Sequence, residues 1–232
     1  MAGNGSDAGF EVLISSDSHV MEPSEILAER APQSFKDQVP RFPKLEVGSS
    51  FQTHPGGSDP THRITEMETD GLSAEVLFPT YLLPHFAMDD GKLQAVCFRA
   101  YNDWLIEYCN VSPKRLIGIA AISVYDIDEA VKELERCAKA GIKGSIIWQA
   151  PHPDLPFHSE HYNKFWAASQ DLEIPVHLHI LTGHGRPRTD RPTLPGTPIS
   201  SMKIFAPRSS ATKRSTRACA YGPILKDRKS VV

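Results

Sequence analysis

No run of 18 apolar residues occurs in this chain, so a membrane-spanning helix is not expected. The opening residues, Met1 to Gly9, lack the basic flank and apolar core of a secretory leader. Cysteine is scarce: Cys97, Cys109, Cys137 and Cys219 are widely spaced, with no Cys-x-x-Cys. Three of them fall in segments with helical periodicity, which points to buried or free thiols rather than a disulfide framework. A cytoplasmic location is therefore expected. Neither Gly-x-x-x-x-Gly-Lys nor Gly-x-Gly-x-x-Gly is present, so nucleotide-phosphate binding is not indicated. Glutamate is absent after Glu173.

That last absence belongs to a wider change. Residues 182–232 carry eleven Lys or Arg against two Asp, a net of +9, although the whole chain sums to −3. Six prolines and scattered serines replace any apolar period there, so an irregular basic tail is expected. With only Phe205 and Tyr221 as stacking aromatics, nucleic-acid binding by this tail is disfavoured. The first nine residues read as disordered, residues 10–181 as the folded portion, and residues 31–60, rich in Pro, Gly and Ser, as an insertion.

What is present before residue 182 alternates strand and helix. The expected strands are Glu11 to Ser16, Ala74 to Phe78, Leu116 to Ile122, Gly144 to Trp148 and Pro175 to Ile180. Asp59-Pro60 caps a helix running to about Thr69, and Asp89-Asp90 precedes one from about Gly91 to Cys109. Asp126 caps a helix over 128–140, closed by Gly141, and Ser159 starts a helix through Leu172. Five strands with helices between them argue for a parallel α/β sheet. Spacing alone does not separate a doubly wound sheet from a barrel.

Two strands end in ligand-type residues. Asp17 and His19 are two apart, as are His177 and His179, and residues two apart on a strand share a face. Carboxylate oxygen and imidazole together suit a borderline divalent ion such as zinc. A lone histidine is more often a hydrogen-bonded core or surface group; the combination raises the case for a site. Trp148 and His85, following other strands, could line a pocket for substrate, with a core or loop role as the plainer reading. His152, His158 and His161 read as a solvated loop, and Arg63 with Asp70 as partners around the first helix. The cysteines have no base in view.

Six segments then follow one another in order. They are Asp-Ser-His-Val-Met-Glu-Pro at 17–23, Gly57-Ser58-Asp59-Pro60, the run from Met67 to Thr80, Ala100 to Leu105, Pro113 to Gly118 and Ile174 to His179. Over about residues 10–181 they resemble the amidohydrolase-related family, the group of aminocarboxymuconate-semialdehyde and hydroxybenzoate decarboxylases. The resemblance implies a metal-dependent (β/α)₈ barrel, usually cytosolic and often a homodimer. It maps the first-strand ligand pair onto Asp17 and His19 and the fifth-strand histidine onto His179. His177 becomes a supporting or substrate-facing group. The implied cofactor is one divalent ion, zinc by preference, with manganese as the other candidate.

The family's later-strand histidine and eighth-strand aspartate have no recognisable counterpart. His184 follows strand five too closely, and no strand precedes Asp190 or Asp227. The acid/base is therefore unassigned. The expected fold is a partial barrel of about five βα units, truncated after strand five. The expected function is a metal-dependent hydrolase or carboxy-lyase acting on a small carboxylated compound, aromatic ones included. The alternative is an inactive barrel fragment or interaction remnant.

Overall fold

The computed structural model describes residues 12–44 and 54–184. Its strands are β1 (Ile14–His19), β2 (Ala74–Phe78), β3 (Leu116–Ala121), β4 (Gly144–Ile147) and β5 (Val176–Leu178). Its helices are α1 (Ile26–Arg30), α2 (Pro60–Asp70), α3 (Gly91–Asn110), α4 (Ile127–Lys139) and α5 (Asn163–Asp171).

Carboxylate caps start three of these helices where the sequence placed them. Asp59, Asp90 and Asp126 each accept two backbone N–H groups from the first turn of α2, α3 and α4. Gly71 then ends α2 in the left-handed conformation, at φ 72°. The expected helix from Ser159 is split. Ser159 caps a 3₁₀ turn, Glu160–Tyr162, before α5 begins.

All five strands are parallel and pair in the order β1-β2-β3-β4-β5. A doubly wound sheet reverses direction at a switch point. Here each strand is added beyond the last, so that alternative is removed. The sheet also curls. In a flat sheet, strands four places apart lie about 19 Å from each other, at roughly 4.8 Å per step. Yet the rings of His19 and His179, at the ends of β1 and β5, have centroids 5.1 Å apart. The described chain is an arc of a (β/α)₈ barrel.

Strands β3 and β4 each end one residue earlier than expected, and two strands differ by more. β1 runs to His19 rather than stopping at Ser16, because its polar end pairs with β2 through Ser18↔Leu77 and His19↔Phe78. β5 is confined to Val176–Leu178 instead of Pro175 to Ile180. Leu181 turns the chain at φ 68°, and Thr182 leaves the ladder to accept N–H groups from Gln149 and Ala150. The 31–60 segment also yields more than a loop. Ala31, Val39 and Phe42 are buried in the main core, just after the unforeseen α1.

The core lies between the arc and its helices. α3 supplies Cys97, Phe98, Tyr101, Leu105 and Tyr108, while Leu93 and Val96 pack at its margin. Buried Asn102 on the same helix donates to Ala121 O and accepts from Ala121 N, tying α3 to the end of β3. No helix among the described residues is long and apolar enough to cross a membrane.

Candidate metal centre

β1 carries a bulge. Its register against β2 slips between Ser15 and Ser18, so one extra residue is accommodated there. Consequently Ser15 and Ser18, three apart, share the outer face, their hydroxyl oxygens 2.7 Å apart. Ser18 donates to Glu75 (3.1 Å), whose other oxygen accepts from Arg63 Nε (2.5 Å). Arg63 Nη1 in turn donates to the backbone carbonyl of His19 (2.8 Å). Arg63 thus pairs with β2 and holds β1, rather than pairing with Asp70 around its own helix. This buried network fixes the outer side of β1, and Asp17 and His19 project from the other.

The inner side brings three groups together. Ligand-type atoms of Asp17, His19 and His179 all lie within 4.8 Å of one another. Asp17 Oδ1 is 3.7 Å from His19 Nε2 and 3.5 Å from His179 Nε2. Two ligands each about 2.1 Å from a tetrahedral ion are about 3.4 Å apart. Both edges from Asp17 are close to that spacing, and the third lies within 4.8 Å.

Both imidazoles are oriented for such a role. His19 Nδ1 is 2.8 Å from Pro79 O, and His179 Nδ1 is 2.8 Å from Ile180 O. A carbonyl oxygen only accepts, so Nδ1 carries a hydrogen in each ring and Nε2 is the atom turned toward Asp17. Burial lowers the His19 pKa, partly opposed by the Pro79 hydrogen bond, with the neighbouring His179 lowering it further. The neutral ring is the form that ligates a metal.

The remaining candidates stand apart from this cluster. His177 lies one pleat back along β5, edge-on to Phe78 with centroids 5.3 Å apart. Gly144 makes room for it: a Cβ there would lie 3.0 Å from His177 Nε2 and 2.5 Å from Ile119 Cδ1. Burial, then the neighbouring His179, lowers its pKa. Trp148 is 1% exposed, donates to the Tyr162 hydroxyl and packs edge-on against Tyr125. His85 bonds Tyr81 O through Nδ1 and packs against Phe42.

His152 and His184 stack edge-on beside Tyr125, and His161 bonds Val124 O; of the three histidines expected in a solvated loop, only His158 is exposed. Cys97, Cys109 and Cys137 are free and buried, and burial pushes the first two thiols up to about 12. Asp190, Asp227 and Cys219 lie outside the described residues.

One residue escaped the sequence reading. Glu22, 1% exposed, accepts backbone N–H groups from Thr80, Tyr81 and Leu82. The only sequence signal was its place in Asp-x-His-x-x-Glu-Pro.

Comparison with known proteins places this arrangement. Residues 18–209 match the amidohydrolase family model. The chain belongs to the amidohydrolase family. The match continues past residue 184, beyond the described residues. Among curated amidohydrolases it is 33% identical over 103 residues to gamma-resorcylate decarboxylase of Rhizobium radiobacter, covering 40% of this chain and 30% of that enzyme. To the same enzyme from a Rhizobium species it is 30% identical over 127 residues, covering 50% and 37%.

The fold of an amidohydrolase from Mycobacterium avium subsp. paratuberculosis aligns over 73% of this chain and 59% of its own, at TM-score 0.60 and 18% identity. A Polaromonas dihydroxybenzoic acid decarboxylase, solved with manganese and the inhibitor 2-nitroresorcinol, aligns over 73% and 49%, at TM-score 0.51 and 22% identity. The chain therefore spans about a third of these curated relatives' length and about half to three-fifths of these solved chains.

Proposed function

We propose that Asp17, His19 and His179 hold one divalent metal ion, in a carboxy-lyase site for a small aromatic carboxylate. The observation that carries the metal reading is the meeting of a carboxylate from β1 with two imidazoles, each presenting Nε2 to it. Decarboxylation is favoured over hydrolysis by the gamma-resorcylate decarboxylase relatives. One carboxylate with two imidazoles accepts zinc or manganese, and the manganese of the Polaromonas structure keeps both in view.

When bound, the ion would supply positive charge to orient an anionic substrate. Asp17 contributes the negative charge that attracts the cation from solvent. His19 and His179 contribute imidazole nitrogen donors whose rings are held by backbone carbonyls. Phe78 packs against both rings and His177. A cytoplasmic location accompanies this reading, supported by the three free buried thiols.

Titration of the metal-free full chain with manganese or zinc chloride, followed by calorimetry, tests the ligand set. One site is expected. Supporting residues around metals are typically worth 10–100-fold in affinity, so Asp17→Ala and His179→Ala should each cost at least about tenfold. Unchanged stoichiometry and affinity in both variants would rule the ligand set out. Turnover is a separate question, because the chain spans a minor part of its relatives. Incubation of the metal-loaded chain with 2,6-dihydroxybenzoate should release carbon dioxide; metal binding without release would favour the binding remnant.

A further inference from the structure

Glu22 is buried without a cationic partner among the described residues. A carboxyl group in such a place is costly unless hydrogen bonds compensate it. Here backbone amides do so. Thr80 N lies 3.1 Å from both carboxylate oxygens, Tyr81 N 3.0 Å from Oε2 and Leu82 N 3.1 Å from Oε1. The loop is also fastened to the chain leaving β1, since the Thr80 hydroxyl donates to Val20 O (2.6 Å) and Val20 N to Phe78 O (2.9 Å).

The N–H of Thr80 and the C=O of Pro79 belong to one peptide group. That group is planar, and in the trans form its N–H and C=O point in opposite directions. No cis peptide occurs among the described residues. Glu22 therefore grips one edge of this plane, while His19 Nδ1 donates to the other. An acceptor on the N–H side polarises the peptide and strengthens the bond its carbonyl accepts, most strongly when the acceptor is ionised. We propose that Glu22 is a positioning residue for His19, acting through the Pro79–Thr80 peptide group. It locks the imidazole in the Nδ1–H form and aims Nε2 at the cluster. The arrangement is a carboxylate, peptide and histidine in series, performing the task that a carboxylate bonded directly to a ligand histidine performs elsewhere.

This inference rests on the metal reading for its purpose, but its geometry can be tested without metal. Long-range proton–nitrogen NMR of the metal-free full chain should show His19 as the Nδ1–H tautomer. Glu22→Gln retains one acceptor oxygen and sets an NH₂ against the loop amides, so His19 should shift toward a tautomer mixture. Manganese affinity should fall about tenfold or more. Lys132→Ala, on the exposed face of α4, should leave tautomer and affinity unchanged.

A folded Glu22→Gln protein with His19 still wholly Nδ1–H and wild-type manganese affinity would overturn the proposal, as would an Nε2–H ring in the wild type. Should Glu22→Gln not fold, Glu22→Asp is read in the same way, with smaller shifts expected and no shift overturning it. Absence of manganese binding in the wild type, with the tautomer still responding to Glu22, would defeat the metal reading and leave the positioning link standing.

Discussion

At the scale of single residues, buried charge decides most of what can be measured. Arg63 and Glu75 form a buried ion pair that also steadies the His19 carbonyl. Removing one partner strands the other, typically at about 3–5 kcal/mol. Arg63→Met should therefore lower unfolding stability by about that amount in urea titration. The pH dependence has two opposing parts. Burial is the first cause lowering the His19, His85 and His177 imidazoles from 6.5, so on acidification the unfolded chain takes up protons first. Their contribution is full above pH 6.5 and is lost as the pH falls below it.

Glu22 acts in the other direction. Burial raises it from 4.5 to about 7 against the pull of its amide hydrogen bonds, so its contribution is full below 4.5 and is lost as the pH rises toward 7. In urea midpoints measured on the metal-free chain from pH 4.5 to 8, His85→Gln should make the acid-side decline shallower. Glu22→Gln should make it steeper. The difference in legibility follows from the same residues. Asp17, His19 and His179 announce themselves as polar residues at strand ends with a period of two. Glu22 does not, because its partners are main-chain amides from a remote loop, and main-chain groups have no letter in the sequence.

At the scale of elements, the capped helices were readable because a cap is local. Asp126 accepts from Asp128 N and Glu129 N at the start of α4. Asp126→Ala should cost about 1 kcal/mol, checked by denaturation. Strand limits were less readable because they depend on a partner. β1 extends through polar residues since β2 offers it a ladder and Glu75 satisfies Ser18. The five-residue α1 is too short to show a period. On β4, Gly144 opens the space that His177 fills, so Gly144→Val should displace His177 and Ile119 and destabilise the chain. Overpacking of this kind typically costs about 1–3 kcal/mol, and a shifted His177 ring resonance would locate the damage.

At the scale of the whole molecule, the pairing order showed what spacing left open, because a barrel and a doubly wound sheet share the same local pattern. The arc leaves Val12, Leu13 and Ile14 exposed beside β1, and Ile180 and Leu181 beyond β5. Apolar surface of this kind draws hydrophobic probes. Ile180→Lys should therefore reduce fluorescence of an anilinonaphthalene dye bound to the chain; equal fluorescence would show that this flank is not the binding surface.

The strand order also has a temporal side. Of the described strands, a ribosome delivers β1 first and β5 last, and domains assemble as the chain emerges. Asp17 and His19 must wait, already aimed, until nearly all the intervening βα units have docked and the fifth strand closes the loop of contacts. On the proposed metal reading, capture of a cation would then serve as a late clasp between the first and fifth strands, reporting that the turns between them were laid down without a skipped unit.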